Sequence, residues 1–342
     1  MLEKKTLFII FIVIISICIT VLLVLCCLKS YENYIIRNGM IFLNLTSSQK
    51  KKIASTPLEE LKSRMFLNDQ TTNTPAFFCY NFHILSPVQN QGSSCGSCWA
   101  FVTTGLISDR VSINTNRFLI LSAQQLLQCY DYPYGCEGAS PEKVFQWMEK
   151  KKIKLQTNEQ IRYLQFNTNK IPNKCSYKLE GISVKANYVY RIVDFIEEKN
   201  INLSILSKNI KNMKRELIKN GPFFATIRVY DNFFSFVENA PYNASSGYYV
   251  GGHAIIIVGY SDPGQDPRKG YKGGYWICRN SWGTGWPKGN PIYPGYFTVA
   301  MGKNICGIES RCGAVEPDVI RSKNNSNIIF DRFSQFASKF LK

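Results

Sequence analysis

Gln91-Gly-Ser-Ser-Cys95-Gly-Ser-Cys98-Trp-Ala-Phe101 is the stretch on which the reading of this chain turns. Small residues form a loop that delivers Cys98 to the first turn of a helix expected over Cys98–Val111. Unpaired backbone N–H groups and the helix dipole favour a thiolate there. Cys95 and Cys98 also form a C-x-x-C pair, a spacing shared by structural disulfides, zinc sites and thioredoxin-like redox centres. A zinc site needs a second ligand pair at short spacing, and the chain has none. A redox motif needs a preceding strand in a βαβ unit, whereas Ser86–Ser94 reads as turn. A nucleophilic Cys98 is the reading that stands, with no metal and no cofactor expected.

A cysteine nucleophile needs an imidazole to form the ion pair and later to protonate the leaving amine. The chain has 2 histidines. His83 lies in a loop-like stretch and reads as a surface or packing residue. His253 follows Gly251-Gly252 and opens the apolar run Ala254–Val258, a strand that would hold the ring at a cleft rim. Arg279-Asn280-Ser-Trp282-Gly-Thr-Gly-Trp286 supplies the third member. The Asn280 amide can accept from the imidazole, and Trp282 can shield that bond from water.

These three blocks, in this order, resemble the signature blocks of papain-like peptidases over about Pro75 to Glu316. Asn220-Gly-Pro-Phe, Val229-Tyr-Asp-Asn-Phe233, Gly251-Gly-His-Ala254 and Cys306-Gly-Ile-Glu-Ser310 are similar to segments of cathepsin B. The resemblance implies an α+β fold of two domains. A helical one carries Cys98, an antiparallel barrel-like one carries His253 and Asn280, and polypeptide substrates bind extended in the cleft between them. It implies Gln91 as oxyanion donor beside the Cys98 N–H, and bridges Cys95–Cys136 and Cys129–Cys175. Gly138, Ala139, Pro141, Thr226 and Ala254 would line the substrate wall. Arg311 falls where cathepsin B has a glutamate at the floor of the S2 pocket, so apolar P2 residues should be preferred, acidic ones tolerated and basic ones rejected.

The chain departs from the family in four places. The loop from Gln91 to Cys95 is one residue longer, through Ser93-Ser94, which moves Gln91 toward a bulge. Gly138-Ala139 replaces a Gly-Gly pair, tolerable unless the alanine position needs φ > 0. Ser245–Gly252 holds no cysteine to pair with Cys306. The histidine pair of the occluding loop is absent, which implies an endopeptidase rather than a carboxydipeptidase.

The 342 residues suffice for a globular unit with appendages. Residues 1–5 and an apolar run of about 23 residues over 6–28 read as a cytoplasmic stub and a signal anchor. Lys4 and Lys5 precede the run, and no small-x-small cleavage site ends it. That makes a type II protein with a lumenal or extracellular body, in a secretory, endolysosomal or viral-host membrane. The Asn-x-Ser/Thr sites at Asn44, Asn202, Asn243 and Asn324 suit a lumenal chain, at about chance frequency.

Residues 29–74 form a connector resembling a short cathepsin-B-type propeptide that would occupy the cleft in reverse. Thr56-Pro57-Leu58-Glu59 within it predicts a helix start. Residues 317–342 form a tail in which Ile329, Phe330, Phe333, Phe336, Ala337, Phe340 and Leu341 share one helical face. The net charge of +17 is scattered rather than striped, so no nucleic-acid partner is expected. Of 12 cysteines, nine lie beyond Cys27, which predicts four bridges and one free thiol. Further helices are expected over Ser122–Cys129 and Pro141–Lys150, and strands over Phe223–Tyr230, His253–Tyr260 and Tyr275–Cys278.

Overall fold

The computed structural model describes residues 45–63, 73–115, 118–165, 167–175, 183–197, 199–244, 247–265, 271–289 and 291–320. The apolar run 6–28 and tail positions 321–342 lie outside the described residues. Among those described, no helix is long and apolar enough to cross a membrane.

In chain order the helices are α1 (Ser47–Ile53), α2 (Cys98–Thr115), α3 (Ala123–Cys129), α4 (Pro141–Lys151) and α5 (Leu203–Lys219). The main strands are β1 (Phe77–Cys79), β2 (Ser183–Arg191), β3 (Phe223–Tyr230), β5 (Tyr249–Ser261), β6 (Tyr275–Arg279), β8 (Tyr296–Ala300) and β9 (Cys312–Ile320). Val237–Glu238 (β4) and Lys288–Gly289 (β7) form a small parallel pair. The seven-stranded sheet is antiparallel, in the order β2-β9-β3-β5-β6-β8, with β1 also on β5. The α+β class expected from the sequence is the class observed. β9 runs past Glu316 to Ile320, pairing with β2, so part of the expected tail belongs to the sheet.

β5 organises the core. Successive side chains of a strand point to opposite faces, so Ala254, Ile256 and Val258 pack toward the helices with Trp99, Leu106, Leu126 and Phe145. Ile255 and Ile257 pack the other way with Phe223, Ile227, Trp276 and Phe297. A strand covered on both faces reads as an unbroken apolar run, which is why Ala254–Val258 has no polar alternation. α2 is likewise buried on every side from Cys98 to Ser112, and accordingly lacks an amphipathic stripe.

Buried ion pairs tie α2 to its surroundings. Arg110 bonds Glu216 of α5 at 2.5 Å and Tyr190 of β2 at 3.0 Å. Asp109 takes both terminal nitrogens of Arg279 at 3.0 and 2.7 Å.

Two expectations are corrected. The predicted helix start at Thr56 is not helical: no helix forms from Thr56 through Lys62. Its donors are used elsewhere: the Thr56 N–H goes to the Gly252 carbonyl at 2.9 Å and its hydroxyl lies against Cys98. The capping box operates ten residues earlier. Thr46 caps α1, accepting from the Gln49 N–H at 3.2 Å while the Gln49 side chain accepts from the Thr46 N–H at 3.0 Å.

The second correction concerns the cysteines. Among the described residues there are two bridges, Cys95–Cys136 and Cys129–Cys175, rather than four. Cys79, Cys98, Cys278, Cys306 and Cys312 are free. Cys278 on β6 and Cys312 on β9 are separated in the sheet by β3 and β5. Burial pushes both thiols up, so they serve as small apolar core residues. At the start of α3 the Ser122 side chain accepts from the Gln125 N–H at 3.1 Å, while the Gln125 side chain bonds Gln156 and Lys154.

Candidate active site

Cys98 is the first residue of α2 and fully buried, and the backbone of Cys98, Trp99 and Ala254 near its sulfur favours the thiolate. Ala254 follows His253, so β5 brings the imidazole's own strand to the thiol. On the far side of that ring, Nε2 lies 2.8 Å from Asn280 Oδ1. The same oxygen accepts the Ser281 N–H at 2.8 Å, which fixes the amide's orientation. His253 Nδ1 has no hydrogen-bond partner among the described residues. Trp282 lies 4.9 Å from the imidazole, centroid to centroid, and stacks on Phe234 at 5.0 Å. This aromatic lid is buried and keeps water from the His253–Asn280 bond. His83 is exposed, edge-on to Tyr293.

Gln91 is fully buried despite the longer loop. Its N–H bonds the Ser281 carbonyl at 2.9 Å, and its Oε1 accepts from Ser281 Oγ at 2.7 Å. Its Nε2 donates to the Cys95 carbonyl at 3.2 Å and faces the Ile53 carbonyl at 3.5 Å. Gly92 takes φ 71°, and Gln91 stays buried rather than being pushed outward. The Cys95–Cys136 bridge ties this loop to the wall bearing Gly138.

Residues 53–63 lie across this constellation. Thr56 Oγ1 is 2.9 Å from Cys98 Sγ. Ser55 makes a parallel bridge to Gly252. A Cβ on Gly138, Gly251 or Gly252 would come within 2.1 Å of the Ser55 carbonyl oxygen, 1.8 Å of that of Ala54 and 2.0 Å of that of Thr56. The cleft walls are therefore bare backbone because another backbone lies against them. Gly138 has φ 94°, while Ala139 has an ordinary φ; the glycine is retained where positive φ demands it. Beyond the cleft, the N–H groups of Lys62 and Ser63 donate to Glu142 at 3.2 and 2.7 Å. Lys52 pairs with Glu137, and Lys143 with Glu59.

Covering the site has an electrostatic consequence. Burial pushes the Cys98 thiol up, outweighing the hydrogen bonds from Thr56 and the backbone that favour the thiolate. Burial pulls His253 down to about 4, against the hydrogen bond to Asn280. In this covered state both groups are neutral at pH 7.

Thr226 faces Ala254 across β3 and β5, and its N–H donates to the Arg311 carbonyl at 3.0 Å. Pro141 opens α4 and is buried. Arg311 is only 3% exposed, with its guanidinium 5.2 Å over the Phe195 ring. Burial and then the nearby charge of Arg228 lower its pKa. Sequence reasoning missed Thr56 as a partner of the thiol, Glu142 as an anchor of the covering segment, and Asp109 as the counter-ion of Arg279. Asp109 and Arg279 lie 170 residues apart, and nothing local links them.

Comparison with known proteins agrees with the geometry. The model of the papain family cysteine proteases matches residues 80–315. The gut-specific cysteine proteinase of Caenorhabditis elegans is 30% identical over 231 residues, 64% of this chain and 65% of that protein. Cathepsin B-like cysteine proteinase 5 of the same nematode is 27% identical over 258 residues, 67% of this chain and 69% of that protein. Oryzain gamma chain of rice is 32% identical over 66% of this chain and 54% of its own length. The chain thus spans about half to two thirds of these relatives' lengths. Procathepsin B S9 of Trypanosoma congolense shares the fold with a TM-score of 0.65 at 23% identity, over 80% of this chain and 89% of that one. With its family match extending over most of the chain, from Tyr80 to Val315, this protein belongs to the papain family of cysteine proteases.

Proposed function

We propose that the chain is the covered precursor of a cysteine endopeptidase in which Cys98 is the nucleophile, His253 the proton carrier and Asn280 the orienting amide. The observation that carries this reading is the His253–Asn280 bond beneath Trp282, on the strand whose next residue, Ala254, favours the Cys98 thiolate through its backbone. Once uncovered, the Cys98 thiolate attacks the scissile carbonyl carbon. The carbonyl oxygen takes the negative charge beside Gln91 Nε2 and the Cys98 N–H, the imidazolium protonates the departing amine, and a thioester forms. Water, deprotonated by the now neutral His253, then attacks the thioester and frees the carboxylate product and the thiol. Polypeptides are the substrates, residues 29–74 are the removable propeptide, and 75–316 form the peptidase unit.

The full chain, activated by acid or limited proteolysis, should cleave internal bonds of unstructured polypeptides, with fragments identified by mass spectrometry. Release of C-terminal dipeptides alone would contradict the endopeptidase reading.

The apolar run 6–28 supports a membrane tether with the catalytic unit on the lumenal or extracellular side. In sealed microsomes, added protease should leave the 75–316 region intact. Its digestion from outside would reverse that orientation.

Arg311 supplies the substrate preference. A guanidinium stays charged at any relevant pH, and this one is buried at the edge of the wall formed by Thr226 and Ala254. Arg228 adds a second positive charge. Wild-type enzyme should favour P2 Leu, accept P2 Glu and reject P2 Arg. Arg311→Glu should raise kcat/KM for P2 Arg about tenfold, in line with a charge-assisted contact out of bulk water. Efficient wild-type cleavage after P2 Arg, or no gain in the variant, would refute the assignment.

A further inference from the structure

Tyr163 lies on the loop following α4, half-buried, its ring edge-on to Phe101 of α2 with centroids 4.7 Å apart. Its hydroxyl is 2.8 Å from the Gln91 carbonyl and 2.7 Å from Ser97 Oγ. A carbonyl can only accept, and a phenol has one proton. The Tyr163 proton therefore goes to Gln91, and Ser97 must donate to the phenol oxygen. The chain Ser97 to Tyr163 to Gln91 has one direction. Burial pushes the phenol's pKa up, so the proton stays on the oxygen throughout the working range.

The two residues joined in this way are the ends of the lengthened loop. Gln91 precedes Gly92-Ser93-Ser94-Cys95-Gly96, and Ser97 precedes the nucleophile. Without a brace, the separation of the Gln91 amide from the Cys98 N–H would depend on a loop containing two glycines. Ser281 holds Gln91 from the side of β6 through its carbonyl and hydroxyl. Within the loop the Gln91 side chain reaches the Cys95 carbonyl, and the Tyr163 hydroxyl carries the connection on from Gln91 to Ser97, the residue before α2. We infer that Tyr163 is a positioning residue for the oxyanion-binding donors, setting Gln91 relative to the Cys98 N–H without touching substrate. The inference rests on the role proposed above for Gln91.

Tyr163→Phe keeps the ring against Phe101 and removes one hydroxyl. In the activated full chain it should lower kcat about tenfold, the scale of one neutral hydrogen bond lost where it matters only in the transition state. KM should be unchanged. Alkylation of Cys98 by iodoacetamide should also be unchanged, because that reaction needs the thiolate and builds no oxyanion. Ser97→Ala, which removes only the upstream donor, should lower kcat about threefold in the same pattern. An unchanged kcat in Tyr163→Phe overturns the inference. So does a parallel fall in kcat and alkylation, which would mark a general structural role. If Tyr163→Phe fails to fold, Ser97→Ala decides: an unchanged kcat there overturns it. A wild type that alkylates yet hydrolyses no peptide fails the proposed function instead, so the two failures are told apart.

Discussion

Replacing Cys98 by alanine should lower peptide hydrolysis about 10⁴-fold or more, to the level left by binding and oxyanion donors alone. The effect is large because no other group can take the role. Among the described residues, the remaining free thiols, Cys79, Cys278, Cys306 and Cys312, are pushed up in pKa by burial, and none is the first residue of a helix. The thiol at the start of α2 has the backbone of Cys98, Trp99 and Ala254 near it, which favours the thiolate. Folding should be unaffected: the lost sulfur leaves a small void, while the helix and its neighbours keep their contacts. Steady-state hydrolysis of a fluorogenic peptide, with circular dichroism as the folding control, makes the comparison. Turnover within tenfold of wild type would contradict the nucleophile.

Asp109→Ala should destabilise the protein by about 3–5 kcal/mol, the scale for breaking a buried pair from one side. Asp109 is fully buried, accepts both terminal nitrogens of Arg279 and also accepts the N–H and hydroxyl of Ser86, each at 2.7 Å. Its removal leaves the Arg279 charge buried with neutral partners, the Ser86 carbonyl at 2.6 Å and the nearby Tyr296 hydroxyl. A protein of ordinary stability, about 5–15 kcal/mol, would lose a large share of it. The melting temperature should fall by roughly 10 °C. Activity should fall as well, since Arg279 immediately precedes Asn280 and Asp109 belongs to the helix headed by Cys98. The double variant Asp109→Leu/Arg279→Met should recover most of the stability, because an apolar pair carries no uncompensated charge. A single variant as stable as wild type in chemical denaturation would show that the pair does not join the two halves of the site.

How far the chain could be read without its structure follows from where each signal resides. The placement of Cys98 at a helix start, His253 on a strand and Asn280 beside Trp282 was legible because each sits in a contiguous block whose neighbours have local jobs. β5 was legible because burial on both faces leaves a plain apolar run. Thr56 was misread for the opposite reason. Thr-Pro-Leu-Glu satisfies every local requirement of a helix start, yet its donors are engaged by Gly252 and Cys98, which are distant in sequence. The same signature at Thr46 and Gln49, without the proline, is the one that caps a helix. Counting cysteines suggested four bridges. Strand order decided otherwise, by placing Cys278 and Cys312 on strands that do not neighbour one another. The longer loop put Gln91 in question, and the hydrogen bonds that hold it come from Ser281 and Tyr163, remote positions that no loop count reveals.

The covered state itself provides the most direct test. With Thr56 on the thiol, His253 is held at about 4, below its value of 6.5 in water. An uncovered or unfolded state binds that proton more tightly, so the covered state loses stability as pH falls from about 6.5 toward 4. The loss is on the order of 3 kcal/mol. The stabilising contribution is fully present above 6.5. A peptidyl epoxide, which reacts with a thiolate held beside an imidazolium, can be offered to the full chain at pH 7, at pH 4.5, and after proteolytic removal of residues 29–74. The proposal predicts no label at pH 7 on the intact chain, and a single label on Cys98 in the other two cases. A folded, trimmed chain that leaves Cys98 unlabelled would contradict it.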